Sequence, residues 1–268
     1  MEALFEFIDK GKTHAIQLCT DCTRALRILY DRLPLRLVAP APSARQLQLT
    51  SPAVTCSPTH CSSTVEPESR SLPSDVTLDL NGQTIAGPAN LTGVGIRVIG
   101  AQNVVVRNGN VQGVFMGVVI MNSANVKIDS LLIRGFGIAV SAPPPEVGIM
   151  LIQTKNAVIN NNQIFSTGLG IFVRGSQNFG NRIEGNTLTA GANAALGICY
   201  NPADGDANGP KGDLITRNVI RGYPTSISIV ATSDSNVVTG NTLFYRTAAF
   251  SNPNSSNLTD GNIEVKLK

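Results

Sequence analysis

From Val76 to Tyr245 two short phrases recur. The first is Gly-Ile-x-Val or a near variant. It stands as Gly95-Ile96-Arg97-Val98, Gly117-Val118-Val119-Ile120, Gly137-Ile138-Ala139-Val140, Gly148-Ile149-Met150-Leu151, Gly170-Ile171-Phe172-Val173, Gly197-Ile198-Cys199-Tyr200 and, degenerately, Ser226-Ile227-Ser228-Ile229. The second reads apolar-x-x-Asn-x-apolar: Ile159 to Ile164, Ile183 to Leu188, Ile215 to Ile220 and Val238 to Leu243. Its fourth positions are Asn162, Asn186, Asn218 and Asn241, with Gly109 and Leu131 keeping the register earlier. Successive fourth positions lie 22, 31, 24, 32 and 23 residues apart, a base period with two insertions. A fixed period of this length built from short alternating β segments specifies a solenoid.

The leucine signature of leucine-rich repeats is missing. The β-branched, Asn- and Gly-rich composition excludes helical repeats. The expected fold is therefore all-β: a parallel β-helix of about six coils, each coil pairing with the next at about 4.8 Å. The fixed Asn is expected to supply the left-handed backbone of a sharp corner and to hydrogen-bond along the axis as a ladder.

Composition divides the chain. Asn is absent from residues 1–80 and occurs 24 times in residues 81–268; Gly11 is the one glycine before residue 80. Apolar spacing predicts a short N-terminal helical segment over residues 1–36, closed at Pro34. The expected domains are this segment, as cap or extension, a Pro/Ser/Thr-rich linker at 37–74, the β-helix at 75–255 and a tail at 256–268. The net charge of +3 does not point to nucleic acid. No run of some 18 apolar residues predicts a membrane span, and Glu2, Glu6 and Asp9 interrupt any signal-peptide pattern. Cys19, Cys22, Cys56 and Cys61 admit zinc, local disulfides or free thiols.

The run Val76-Thr-Leu-Asp-Leu-Asn-Gly-Gln-Thr-Ile-Ala-Gly87, with Gly95-Ile96-Arg97-Val98 and Val104-Val105-Val106-Arg107-Asn108-Gly109, resembles the bacterial right-handed parallel β-helix repeat proteins, which share the pectin-lyase-like fold. The resemblance spans about residues 75–250. It implies a carbohydrate polymer as partner and an extracellular or cell-envelope location. It leaves open a polysaccharide lyase or hydrolase against a non-catalytic binding or structural solenoid. The phrases of pectinase-type hydrolases (Asn-Thr-Asp, Asp-Asp, Gly-His-Gly, Arg-Ile-Lys) do not occur in the coils, and Trp is absent.

Three groups of residues are candidates for chemistry. One outward column is expected to carry Arg107, Asp129, Asn160, Glu184, Thr216 and Thr239. Within it Asp129 and Glu184, flanked by Arg182, have the spacing of an acid pair across two coils and form the candidate catalytic set. The insertions 141–146 and 201–212 both follow the Gly-Ile-x-Val phrase, so both are expected to leave one corner and wall a groove, with Glu146, Lys211 and Tyr200 as substrate-binding residues. The loop Asp204-Gly-Asp206-Ala-Asn208-Gly209 begins like a calcium loop. Asp204, Asp206, Asn208 and Asp213 are its candidate ligands, and Ca²⁺ is the one cofactor suggested.

Overall fold

Apolar residues at alternate positions make each short segment a strand, and the repeat stacks equivalent strands. The computed structural model describes residues 75–87, 93–135, 146–165, 167–203 and 206–268 in full, and the backbone of strands Ala3–Asp9, Lys12–Leu18, Arg45–Gln48 and Val54–Thr55. The chain forms an all-β, right-handed parallel β-helix. One sheet contains seven parallel strands, Val94–Ile99, Met116–Met121, Val147–Ile152, Leu169–Arg174, Leu196–Asn201, Thr225–Ile229 and Ala248–Ser251. The other sheet carries two short strands from most coils, such as Val158–Asn160 and Gln163–Phe165.

Inward positions form continuous lanes. One runs Leu78, Val106, Ile128, Ile159, Ile183, Ile215, Val238, and a second Ile85, Val111, Ile133, Ile164, Leu188, Ile220, Leu243; all are essentially inaccessible. Burial of a branched side chain contributes about 1.5–3 kcal/mol, so each coil adds core against its neighbour. The glycine of the first phrase faces inward where coils touch: a Cβ on Gly117, Gly148 or Gly170 would lie 2.5 Å from the carbonyl oxygen of the next coil's glycine. Of the two successive copies at 137–140 and 148–151, the second enters the sheet, with Ile149 between Val118 and Ile171.

The four predicted ladder residues line one edge. Asn162 Nδ2 donates to Asn186 Oδ1 at 3.0 Å, Asn186 to Asn218 at 2.9 Å, Asn218 to Asn241 at 3.0 Å, and Asn241 to Asn262 at 2.9 Å. Each acceptor also takes the backbone N–H of the preceding rung, as Asn162 N to Asn186 Oδ1 at 3.0 Å. The ladder asparagines do not supply the left-handed residue. That role falls one position earlier, to Asn108, Ser130, Asn161, Gly185, Arg217, Gly240 and Gly261, with φ between 54° and 64°. The division has a cause: the left-handed residue turns the chain at the surface, and the next side chain then points inward to bond along the axis. A second inward polar column runs Asn181, Asp213, Asn236, Asn257.

The N-terminal expectation is corrected in part. Ala3–Asp9 and Lys12–Leu18 are antiparallel strands, with Asp9 opposite Lys12, rather than helix. Phe5, Phe7, His14, Ile16 and Leu18 recur at period two, which competes with the period-3.6 reading; residues 19–36 lie outside the described residues. The hairpin adjoins the first sheet at Leu18↔Ile96. Arg45–Gln48 and Val54–Thr55 pair in parallel with Val76–Asp79 and Thr84–Ala86, so part of the expected linker is a coil. In the expected tail, Leu258–Asp260 and Ile263–Lys266 continue the second sheet.

Candidate functional site

The outward column exists in the expected register. Asp79, Arg107, Asp129, Asn160, Glu184, Thr216, Thr239 and Asp260 follow one another coil by coil. Asp129 and Glu184 sit two coils apart, about 10 Å between backbones, with Asn160 between them. Strand alternation also places Lys127 and Arg182 on this face, two residues before each acid. These bases decide the chemistry. Lys127 Nζ lies 2.9 Å from Asp129 Oδ2. Glu184 Oε2 is held by Arg182 at 2.7 Å and by Arg217 at 3.0 Å, and Arg107 pairs with Asp79 at 3.0 Å.

Burial draws the Asp129 carboxyl upward. Hydrogen bonds from Lys127, Ser130 and Asn161, with the Lys127 charge, outweigh it and hold the group below the usual carboxylate value. An inverting glycosidase needs the opposite, one carboxyl raised enough to protonate a leaving group. Asp129, Arg182 and Glu184 thus share a face, in a network that neutralises the acids.

The loop-derived set is not brought together. The first insertion stands in sequence between Lys127–Arg134 of the second sheet and Val147–Ile152 of the first, and the second between Leu196–Asn201 of the first and Leu214–Thr216 of the second, so they belong to different connections of the coil. The repetition of Gly-Ile-x-Val at 137–140 and 148–151 made them look equivalent. Tyr200 shares the inward parity of Ile198 and is fully buried; its hydroxyl donates to Asp213 Oδ2 at 3.1 Å. Glu146 is buried as well. Its charge and above all burial raise the Tyr223 hydroxyl to about 12. Lys211 is exposed.

Among the proposed calcium ligands, Asp213 is 1 % exposed and belongs to the inward column, which takes it out of the loop's ligand set. Asn181 donates to it from N at 2.7 Å and from Nδ2 at 3.2 Å. Asp206 Oδ2 accepts from Ser176 N at 3.0 Å, Ser176 Oγ at 3.1 Å and Gln153 Nε2 at 3.2 Å, pinning the loop to the coils. These bonds, led by that from Ser176 N, lower its pKa. Asn208 is exposed and Asp204 lies outside the described residues. Among the described residues no three His, Cys, Asp or Glu side chains gather as metal ligands.

Another outward column escaped the sequence reading: Ala86, Gln112, Arg134, Phe165, Thr189, Arg221, Phe244, Val265. Arg134 lies over the Phe165 ring at 5.6 Å and Arg221 over Phe244 at 4.4 Å. Cross-coil neighbours of opposite character make such cation–π pairs. Aligning the positions after Ile133, Ile164, Ile220 and Leu243 would have found it.

Comparison with known proteins agrees with this geometry. The family described as periplasmic copper-binding protein (NosD) matches residues 75–263. No curated protein matches. Among solved structures, the chain is similar to an exopolygalacturonase from Thermotoga maritima, at 12% identity and TM-score 0.50, over 72% of this chain and 48% of that one. It is also similar to a GH136 lacto-N-biosidase from Eubacterium ramulus, at 11% identity and TM-score 0.52, over 72% of this chain and 36% of that one. The chain therefore spans about half the length of these structures or less. Among the described residues no helix is long and apolar enough to cross a membrane.

The described coils do not fit copper. Copper favours imidazole, thiolate and thioether donors, and neither histidine, His14 nor His60, lies in the coils from Val76 onward. Cys199 is buried, and burial pushes its thiol up to about 12, keeping it protonated. Met116 and Met150 pack in an apolar cluster with Val94, Val119, Val147 and Leu169.

Proposed function

Because the chain belongs to the NosD family of periplasmic β-helix proteins, we propose that it is a non-catalytic carbohydrate-binding solenoid of the cell envelope. The observation that carries this reading is the neutralised carboxylate column. Asp79, Asp129 and Glu184 each hold a basic partner within 3.0 Å, and Asp213, whose carboxyl burial raises, faces the interior. A polymer lying along the coils meets ion pairs and amides on one side of the left-handed turn and two arginine–phenylalanine pairs on the other. Regular spacing suits a repeating ligand, because equivalent positions recur coil by coil at a constant rise.

The experiment is native electrophoresis in gels containing polysaccharides, together with a reducing-end and unsaturated-product assay on the same mixtures. Retarded migration with no product is expected. Turnover abolished by Glu184→Gln would instead assign the column to catalysis. Unchanged mobility in every gel would remove the carbohydrate reading.

A further inference from the structure

A third corner carries a different surface. Single-residue bridges align Gln102, Ala124, Lys155, Phe179, Lys211 and Asp234 coil by coil. Lys155, Phe179 and Lys211 are consecutive and all exposed. Phe179 is 53% exposed, although an aromatic ring left in water forgoes the burial that normally favours it. Among the described residues the other exposed large apolar side chains are Leu258, Ile263 and Val265, which belong to the last strands, and Val219 at 37%, so Phe179 is the most exposed large apolar side chain of the middle coils.

The ring rests on a prepared support. Gly212, at φ 65°, leaves space that a Cβ would fill 2.7 Å from Phe179 Cε2. The ring is thereby backed along the axis on the Lys211 side. Lys155 and Lys211 hold the equivalent positions of the coils on either side of it, about 10 Å apart between backbones. Neither lysine forms an ion pair with a described residue. Asp206, whose Oδ2 is held by Ser176 and Gln153, forms no ion pair with either lysine. Those same bonds lay the 201–213 loop along this corner. Asp234, half-buried, ends the basic stretch beyond Lys211.

We propose that Lys155, Phe179 and Lys211 form a subsite for an acidic glycan. The inference rests on the carbohydrate-binding reading and adds the ligand's charge and place. The phenyl face stacks against the C–H face of one sugar ring, and the lysines pair with carboxylates of the units before and after it. A neutral glycan retains the stacking and lacks the pairing, so affinity for the acidic polymer falls as salt screens exposed charges.

The test uses the full chain, with sodium alginate and dextran of matched size as probes, read by calorimetry at low and high salt. Wild type should bind alginate more tightly than dextran. Phe179→Ala and the double variant Lys155→Gln, Lys211→Gln should each weaken alginate binding by roughly tenfold, the size of one lost favourable contact. Matching circular dichroism and Tm control for folding; should Phe179→Ala lower Tm, the lysine pair decides, since both side chains lie in solvent. Undiminished alginate binding by the double variant overturns the subsite and leaves carbohydrate binding standing. Dextran binding without alginate preference overturns the acidic specificity alone. Binding of neither polymer overturns both readings.

Discussion

Two polar columns run through the interior of this solenoid, one built of asparagine throughout and the other interrupted at a single rung. In the first, each amide from Asn162 to Asn241 donates to the oxygen of the next rung, ending at Asn262. In the second, Asn236 donates to Asn257 at 2.9 Å in the same way, yet Asp213 occupies the rung between Asn181 and Asn236. An ionised carboxylate accepts and cannot donate, so Asn236 Oδ1 receives the Asp213 backbone N–H at 3.0 Å and no side-chain donor from that rung. Tyr200 and Asn181 both donate to Asp213 instead. Burial raises the Asp213 carboxyl to about 6, against the lowering effect of bonds from Asn181 and Tyr200. The Tyr200 hydroxyl is displaced upward by its own burial and by the Asp213 charge. A stacked amide is neutral and self-complementary, whereas a stacked carboxylate needs an added donor and carries a charge where water is excluded.

The comparison breaks most severely if the intact ladder is cut. Asn218→Ala removes the acceptor of Asn186 N and Nδ2 and the donor to Asn241 Oδ1. Unsatisfied buried groups cost about 1–3 kcal/mol each, so a loss of about 4 kcal/mol is expected in chemical denaturation. A loss below 1 kcal/mol would show that water replaces the rung.

The interrupted column should respond in the opposite direction. The displacement of Asp213 from 3.8 to about 6 represents about 3 kcal/mol against the folded state when the group is ionised in both states. Because the folded pKa is raised, this penalty is present above pH 6, shrinks as pH falls from 6 towards 4, and is absent below the unfolded value. Asp213→Asn should therefore stabilise the protein by up to about 3 kcal/mol at pH 8 and by nothing near pH 3.5. Equal effects at both pH values would mean that the carboxylate carries no buried charge.

Tyr200→Phe sharpens the same point with a smaller effect. Loss of one hydrogen bond to a charged acceptor should cost about 1.5–3 kcal/mol or less at pH 8. The Asp213 titration, followed by carboxyl NMR shifts, should move upward, and a downward movement would contradict the donor role. At the surface, Asp129→Asn should change stability by no more than about 1 kcal/mol, as exposed ion pairs do, and the change should diminish with salt. A large salt-independent loss would place Asp129 in a structural role.

Much of this was readable beforehand because a parallel β-helix converts sequence period into position. The register of Arg107, Asp129, Asn160, Glu184, Thr216 and Thr239 followed from counting, and so did the edge shared by Asn162, Asn186, Asn218 and Asn241. The burial of Tyr200 was readable too, since it has the parity of Ile198, although its place beside the 201–212 insertion made it a candidate for substrate binding. The second column was hidden because Asn181, Asp213, Asn236 and Asn257 differ in type and follow loops of unequal length. Their common mark is a place two residues before Ile183, Ile215 and Val238, which are buried, and before Thr259, which takes the same register in the last coil.

The sequence by itself determined the fold class and the coil-to-coil register, because stacking is a local rule repeated and each rung inherits the address of the last. Only the tertiary structure decided what the addressed residues do. Arg217 reaches Glu184 across a coil, Arg134 and Arg221 cover their phenylalanines, and Asp206 bonds back to Ser176. Each of these depends on side-chain reach and direction between segments far apart in the chain, which a repeat period does not encode.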